Sequence, residues 1–221
     1  MNLHEDVAPQ LDDLHLVVDR PLIISDADEV LVQFAAGLDS FLRDQGLYYD
    51  ISSFAITGNV RRQDDNEAIS GDDVQALLKA FFRERTEHLP AVPGAAEALK
   101  SLSKDAQIIV VSNVPVDQRD ARIRGLKKIG IDVPVIANIG LKGVVVREIA
   151  SQIDAPVYFL DDIPHNIASV AEHAADVHRI HFVADPRLAR LIDPAQDCHT
   201  RIDDWPSAET YIRDHMRSKG Y

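Results

Sequence analysis

The chain is poor in cysteine, tryptophan and methionine, with one, one and two among its 221 residues. The lone Cys198 excludes an intramolecular disulfide and any multi-cysteine zinc or iron–sulfur site, and a cytoplasmic setting is expected. Positive charge is scarce as well. Twenty-three Lys and Arg stand against 36 Asp and Glu, giving a net charge of −13 and a pI near 5.0. That balance excludes a basic nucleic-acid-binding domain and a polybasic membrane anchor. No run approaches the roughly 18 apolar residues of a membrane span. The first twenty residues, MNLHEDVAPQLDDLHLVVDR, carry acids and a proline where a signal peptide needs a basic start and an unbroken apolar stretch. They are expected to be a lead-in packed on the surface. Apolar material is ample: 46% hydrophobic residues can fill a sizeable core and argue against wholesale disorder.

From Pro21 onward, short β-branched runs alternate with segments of helical period. The runs are PLIISD, AQIIVVSN at 106–113, VPVIANI at 133–139, APVYFLDD at 155–162 and VHRIHFV at 177–183. Most are continuously apolar, as parallel strands covered on both faces require. Between them, residues 117–129 place Ile123, Leu126 and Ile129 on one stripe before Gly130, and residues 143–153 do the same with Val145, Ile149 and Ile153. The expected fold is α/β, a doubly wound parallel sheet with its site at the carboxyl ends of the strands.

The interval from 33 to 90 breaks the alternation and is too long for one crossover. One amphipathic helix there carries Phe34, Leu38, Phe41 and Leu42 on a face; another carries Val74, Leu77, Leu78, Phe81 and Phe82, with Ser70 and Asp72 as candidate caps. The polar stretch TGNVRRQDDNEAISGDD lies between them. The expected organisation is a core of 1–32 and 91–221 with a small helical insertion at 33–90, whose apolar helices offer a surface for a homodimer.

Three of the strands end in polar residues that are costly to place beside a core: Asp26 and Asp28, Ser112 and Asn113, Asp161 and Asp162. Carboxylates converging on one sheet edge repel one another, and a divalent cation is the ordinary remedy. Oxygen ligands without a histidine pair favour Mg²⁺ over zinc. Lys142, opening the helix after the third strand, adds a cation to the same edge.

This order of motifs, strand–DxD, strand–Ser, Lys, strand–DD, resembles the haloacid dehalogenase (HAD) superfamily, largely Mg²⁺-dependent phosphatases, in the form with a helical cap inserted after the first motif. The resemblance spans residues 21 to 218. It implies that Asp26 is the nucleophile that takes up a phosphoryl group, and that Asp28 protonates the departing oxygen and then activates water. It implies that Ser112 and Lys142 hold the phosphoryl group beside Asn113, and that Asp26, Asp28, Asp161 and Asp162 surround the Mg²⁺. Asn166 stands where many relatives have a second acid. The first motif departs from the usual DxDGT, with Glu29 in place of glycine and Val30 in place of threonine; retention of Asp28 argues against dehalogenase chemistry.

The expected substrate is a small phosphorylated metabolite, with neither nucleic acid nor membrane as a partner. Arg61 and Arg62, with Thr57, Asn59, Arg83 and Arg85 nearby, are candidates to clamp a second anionic group. Together with Mg²⁺ and Lys142, such arginines would make a cationic pocket in an anionic protein. Two alternatives remain beside hydrolysis: transfer of the phosphoryl group to another hydroxyl, as in a phosphomutase, and a catalytically weak binding or regulatory protein. His178 and His181, three apart on an expected strand, point to opposite faces and do not form a metal pair.

Overall fold

The computed structural model describes residues 3–221. In chain order the elements are α1 (Ala8–Asp12), β1 (Leu22–Ser25), α2 (Phe34–Arg43), β2 (Leu47–Tyr49), β3 (Val60–Arg62), α3 (Gly71–Arg85), α4 (Ala95–Leu102), β4 (Gln107–Ser112), α5 (Arg119–Lys128), β5 (Val135–Ala137), α6 (Gly143–Ala150), β6 (Val157–Asp161), α7 (Pro164–His173), β7 (His178–His181), α8 (Pro186–Ala189), β8 (Thr200–Arg201) and α9 (Trp205–Ser218). Six strands form one parallel sheet in the order β5-β4-β1-β6-β7-β8. Successive strands run outward on opposite sides of β1, so the β4–β1–β6 centre is the topological switch point of a doubly wound sheet.

The pleat divides each central strand between two apolar clusters. Ile23, Val110, Tyr158 and Leu160 face one side with residues of α2, α3, α4, α5 and α9; Leu22, Ile24, Val111 and Phe159 face the other with α6 and α7. Both faces are therefore dry, which is why the strands read as unbroken apolar runs. The lead-in packs on the second cluster through Val7, Leu11 and Leu14. Gln10 also closes the edge of β5: its side-chain amide donates to the Ala137 carbonyl at 3.1 Å and accepts the Ala137 N–H at 2.8 Å, as a further strand would.

Two features differ from the sequence expectation. The interval 33–90 is not wholly helical: β2 and β3 pair antiparallel between α2 and α3, with Leu47 opposite Arg62 and Tyr49 opposite Val60. The strand-favouring Leu-Tyr-Tyr run supplies one side, while the polar composition around Val60 masks the other. The sheet also gains a short sixth strand, β8, too brief to leave a periodic signal. Ser70 does cap α3, accepting the Asp73 N–H at 3.1 Å. The insertion shares its apolar cluster with the sheet, since Leu38, Phe41, Val74 and Phe81 join Ile23 and Leu160 in one continuous body.

Candidate active site

Asp26 follows the last residue of β1 directly, and its N–H donates to the Leu160 carbonyl of β6 at 2.8 Å. The neighbouring strand tips bring Ser112 from β4 and Asp161 and Asp162 from β6 to the same edge. Asp26, Asp161 and Asp162 are buried, each offering a carboxylate oxygen within 4.8 Å of the others. Lys142, 1% exposed, lies between two of them, with Nζ 2.6 Å from Asp26 Oδ1 and 2.7 Å from Asp161 Oδ2. Burial opposes its charge, but the carboxylates of Asp161 and Asp26 more than offset this and hold the ammonium protonated above its ordinary range.

The position of Lys142 depends on the residue after it. A Cβ on Gly143 would stand 2.2 Å from the Ser169 carbonyl oxygen, so only glycine lets α6 lie this close to α7. The Gly143 N–H donates to Ser169 Oγ at 3.2 Å in the same contact.

The two acids of the β6 tip are not equivalent. Asp161 is fully enclosed: it accepts from Lys142, from the Ile163 N–H at 2.9 Å and from Asn166 Nδ2 at 3.0 Å. Asn166 thus fills the expected place of a second acid by holding the first one. Burial pushes the Asp161 carboxyl up to about 6 against the pull of Lys142. Burial, with the charges of Asp161 and Asp26, drives Asp162 well above the carboxylate range, and no hydrogen-bond donor among the described residues lowers it. The loop that carries it is fixed from β7, where His181 Nε2 lies 3.0 Å from the Asp162 carbonyl.

Asp28 stands apart from this trio, and its partner had not been anticipated. Arg122 of α5 is fully buried and donates from Nη2 to Asp28 Oδ1 at 2.6 Å. Burial raises the Asp28 carboxyl, Arg122 lowers it, and the balance stays above the ordinary value. Arg122 occupies a helical position four and seven residues before Leu126 and Ile129. A charge on that apolar stripe was the available signal, yet nothing local pointed to a partner 94 residues away.

Glu29 takes the backbone conformation that glycine normally supplies, with φ 58°, a placement that costs an L-residue roughly 1–2 kcal/mol. Its side chain compensates: Oε1 accepts the Ala35 N–H at 2.6 Å at the start of α2, tying the acidic loop to the insertion. Oε2 is buried with no partner, and burial pushes the carboxyl up to about 7. Val30 is core, and its carbonyl accepts from Trp205 Nε1 of α9 at 2.7 Å.

These groups open onto one cleft of about 220 Å³. Asp26, Asp28, Glu29, Asn113, Lys142, Asp162 and Asn166 form its polar side. Ser112 is fully buried, its Oγ accepting the Val114 N–H at 3.3 Å. Asn113, which accepts from Asn138 at 2.9 Å, presents the β4 tip to the cleft.

The candidate clamp from the insertion is not there. Arg61 pairs with Asp50 at 3.1 Å, and Arg62 with Asp65 and Glu67 at 3.0 and 2.8 Å. Arg85 pairs with Asp44 and Arg83 lies beside Glu84. None of these arginines lines the cleft: acids from the same turn, from the end of β2 or from the end of α2 already hold Arg62, Arg61 and Arg85. Asn59 is likewise committed to Ser53 and the Ala55 carbonyl. Of the cationic side chains expected there from the sequence, Lys142 alone lines the cleft among the described residues; the insertion contributes aromatic and aliphatic side chains instead.

The donor set fits a hard divalent cation. Every ligand atom is a carboxylate oxygen, and among the described residues none donates a hydrogen bond to the Asp162 carboxylate. When ionised, the four acids at Asp26, Asp28, Asp161 and Asp162 outnumber the cations that touch them, Lys142 and Arg122, by two, a surplus that a divalent cation would match.

No protein-family model and no curated protein sequence matches the chain. Solved structures do. A haloacid dehalogenase-like hydrolase from Streptococcus pneumoniae superposes with a TM-score of 0.60 at 12% identity, over 87% of this chain and 98% of that one. A HAD-family hydrolase from Deinococcus radiodurans R1, solved with bound phosphate and sodium, gives 0.59 at 18% identity, over 89% and 96%. A putative phosphoglycolate phosphatase from Lactobacillus delbrueckii subsp. bulgaricus gives 0.57 at 16% identity, over 89% of this chain and 99% of that one. The chain has the haloacid dehalogenase-like fold.

Proposed function

We propose that the protein is a Mg²⁺-dependent phosphomonoester hydrolase working through an aspartyl-phosphate on Asp26, with residues 33–90 as its cap. The observation that supports this most is the meeting, on one cleft, of a nucleophile fixed by Lys142, a second acid two residues on, and the free carboxylate of Asp162. The Asp26 carboxylate attacks phosphorus, the ester P–O bond breaks, and Asp28 delivers a proton to the departing oxygen. Water then attacks the phosphoryl group, Asp28 takes its proton, and the Asp26–phosphorus bond breaks to release inorganic phosphate. Lys142 neutralises charge on Asp26 throughout. Asp26 and Asp162, with Asp161 behind them and Asp28 beside them, would hold the cation, which when bound screens the anionic nucleophile from the anionic substrate. Asn113, which lines the cleft at the β4 tip, would hold a phosphoryl oxygen; Ser112, buried behind it with its Oγ on the Val114 N–H, would fix the turn that presents it.

Asp28 also favours phosphate esters over haloacids as substrates. An alkoxide leaving group needs a proton, whereas a halide leaves without one. The test is phosphate release from a panel of monoesters in Mg²⁺. Asp26→Asn is expected to lose at least about a thousandfold in kcat while keeping the circular dichroism of the folded protein. Activity that survives this substitution overturns the assignment.

A further inference from the structure

Resting on that reading, we infer that the cleft selects a small monoester whose organic group is uncharged and apolar, of about the size of one ring. The side of the cleft opposite the acids is built from Phe34, Tyr49, Phe54, Ile56, Phe82 and Leu188. The aromatic groups are backed by further packing: Phe34 meets Phe81 edge-on at 5.2 Å and Phe82 at 5.9 Å, and Phe81 also contacts Phe41 at 5.6 Å. The Tyr49 hydroxyl is turned to the Ala55 carbonyl at 3.4 Å, so its ring is what the cleft receives.

Charge sharpens the selection. Lys142 is the one cation lining the cleft among the described residues, and Asp26 and Asp161 already hold it. A second anionic group on the substrate would meet Asp28 and Glu29 with no counter-charge, the costly case of a buried unpaired ion. Arg122 offers no relief, since it lies outside the lining behind Asp28. Size agrees: an apolar cavity of about 150 Å³ takes one benzene, and a cleft of about 220 Å³ leaves room for a ring-sized group beside the phosphoryl site.

Phosphonates, which resist hydrolysis, separate this inference from the catalytic one. In calorimetry with Mg²⁺, the wild-type protein is expected to bind phenylphosphonate at least tenfold more tightly than phosphonoacetate. Phe54→Arg, which adds a cation to the apolar wall, is expected to narrow or reverse that order. Equal affinities, a preference for phosphonoacetate, or no binding of either overturns the inference. In parallel turnover assays, phenyl phosphate is expected to exceed phosphoglycolate in kcat/KM by a similar factor, and the reverse order also overturns it. Phenylphosphonate preference without any phosphate release sinks the hydrolase reading and leaves the selectivity of the cleft standing.

Discussion

The floor and the roof of the cleft come from different parts of the chain and obey different rules. The floor is made of strand tips, where buried carboxylates are held by single charge-assisted contacts: Lys142 on Asp26 and Asp161, Arg122 on Asp28. The roof comes mainly from the insertion and is held by aromatic packing continuous with the sheet's own core. A floor of this kind tolerates no loss of a partner, because a buried charge left alone is far costlier than the pair was favourable. A roof of this kind tolerates volume-conserving change and responds mainly in which group it admits. On the proposed function, chemistry and selectivity are therefore expected to be separable, each open to perturbation without the other.

The floor gives way most completely at Lys142. Lys142→Met leaves Asp26 and Asp161 facing each other without a cation, and phosphate release is expected to fall about a hundredfold to a thousandfold. Lys142→Arg is not expected to restore it, since a planar fork does not fit a slot that is 1% exposed. Near-normal turnover by the methionine variant would show that the contact is structural only.

Next in size is the Asp28–Arg122 pair. Asp28→Ala removes the proposed proton donor and strands a buried guanidinium whose Nε and Nη1 already lack partners among the described residues. A loss of about 3 kcal/mol is expected in chemical denaturation. Adding Arg122→Met to that variant is expected to return much of the stability and none of the activity. If the double variant is no more stable than Asp28→Ala, the pair is not coupled in the way its 2.6 Å contact implies.

The two halves of the cleft were also unequally legible. The floor could be read because an apolar strand that ends in polar residues is rare without a reason, and three such endings, two of them acidic, occur in order. Asp161 and Asp162 could not be told apart in sequence, since their difference lies in what Lys142 and Asn166 reach. Arg122 was hidden because its partner lies on another element, although a charge on a buried stripe could have flagged it. The roof was misread in kind. Phe34 and Phe82 sit on amphipathic stripes, and a stripe announces burial without saying whether the covering layer is core or ligand. The polar stretch between the helices drew attention to Arg61 and Arg62, whereas the acids that neutralise Arg62, Asp65 and Glu67, lie within five residues and were there to be counted; the partner of Arg61, Asp50, lies across the β2–β3 pair.

Those two arginines supply the smallest expected effect. Arg61 and Arg62 lie on β3, partly exposed, and their ion pairs with Asp50, Asp65 and Glu67 are of the surface type that contributes little. Arg62 gains its contacts from residues of its own turn, so removing it leaves no buried charge behind. Arg61→Ala and Arg62→Ala are each expected to change stability by no more than about 0.5 kcal/mol and kcat/KM by less than twofold, for charged and apolar monoesters alike. A selective loss on carboxylated or doubly phosphorylated substrates would mean that the insertion swings these side chains into the cleft when substrate binds. The roof would then be cationic during catalysis, and the division between a charged floor and an apolar roof would hold only for the free protein.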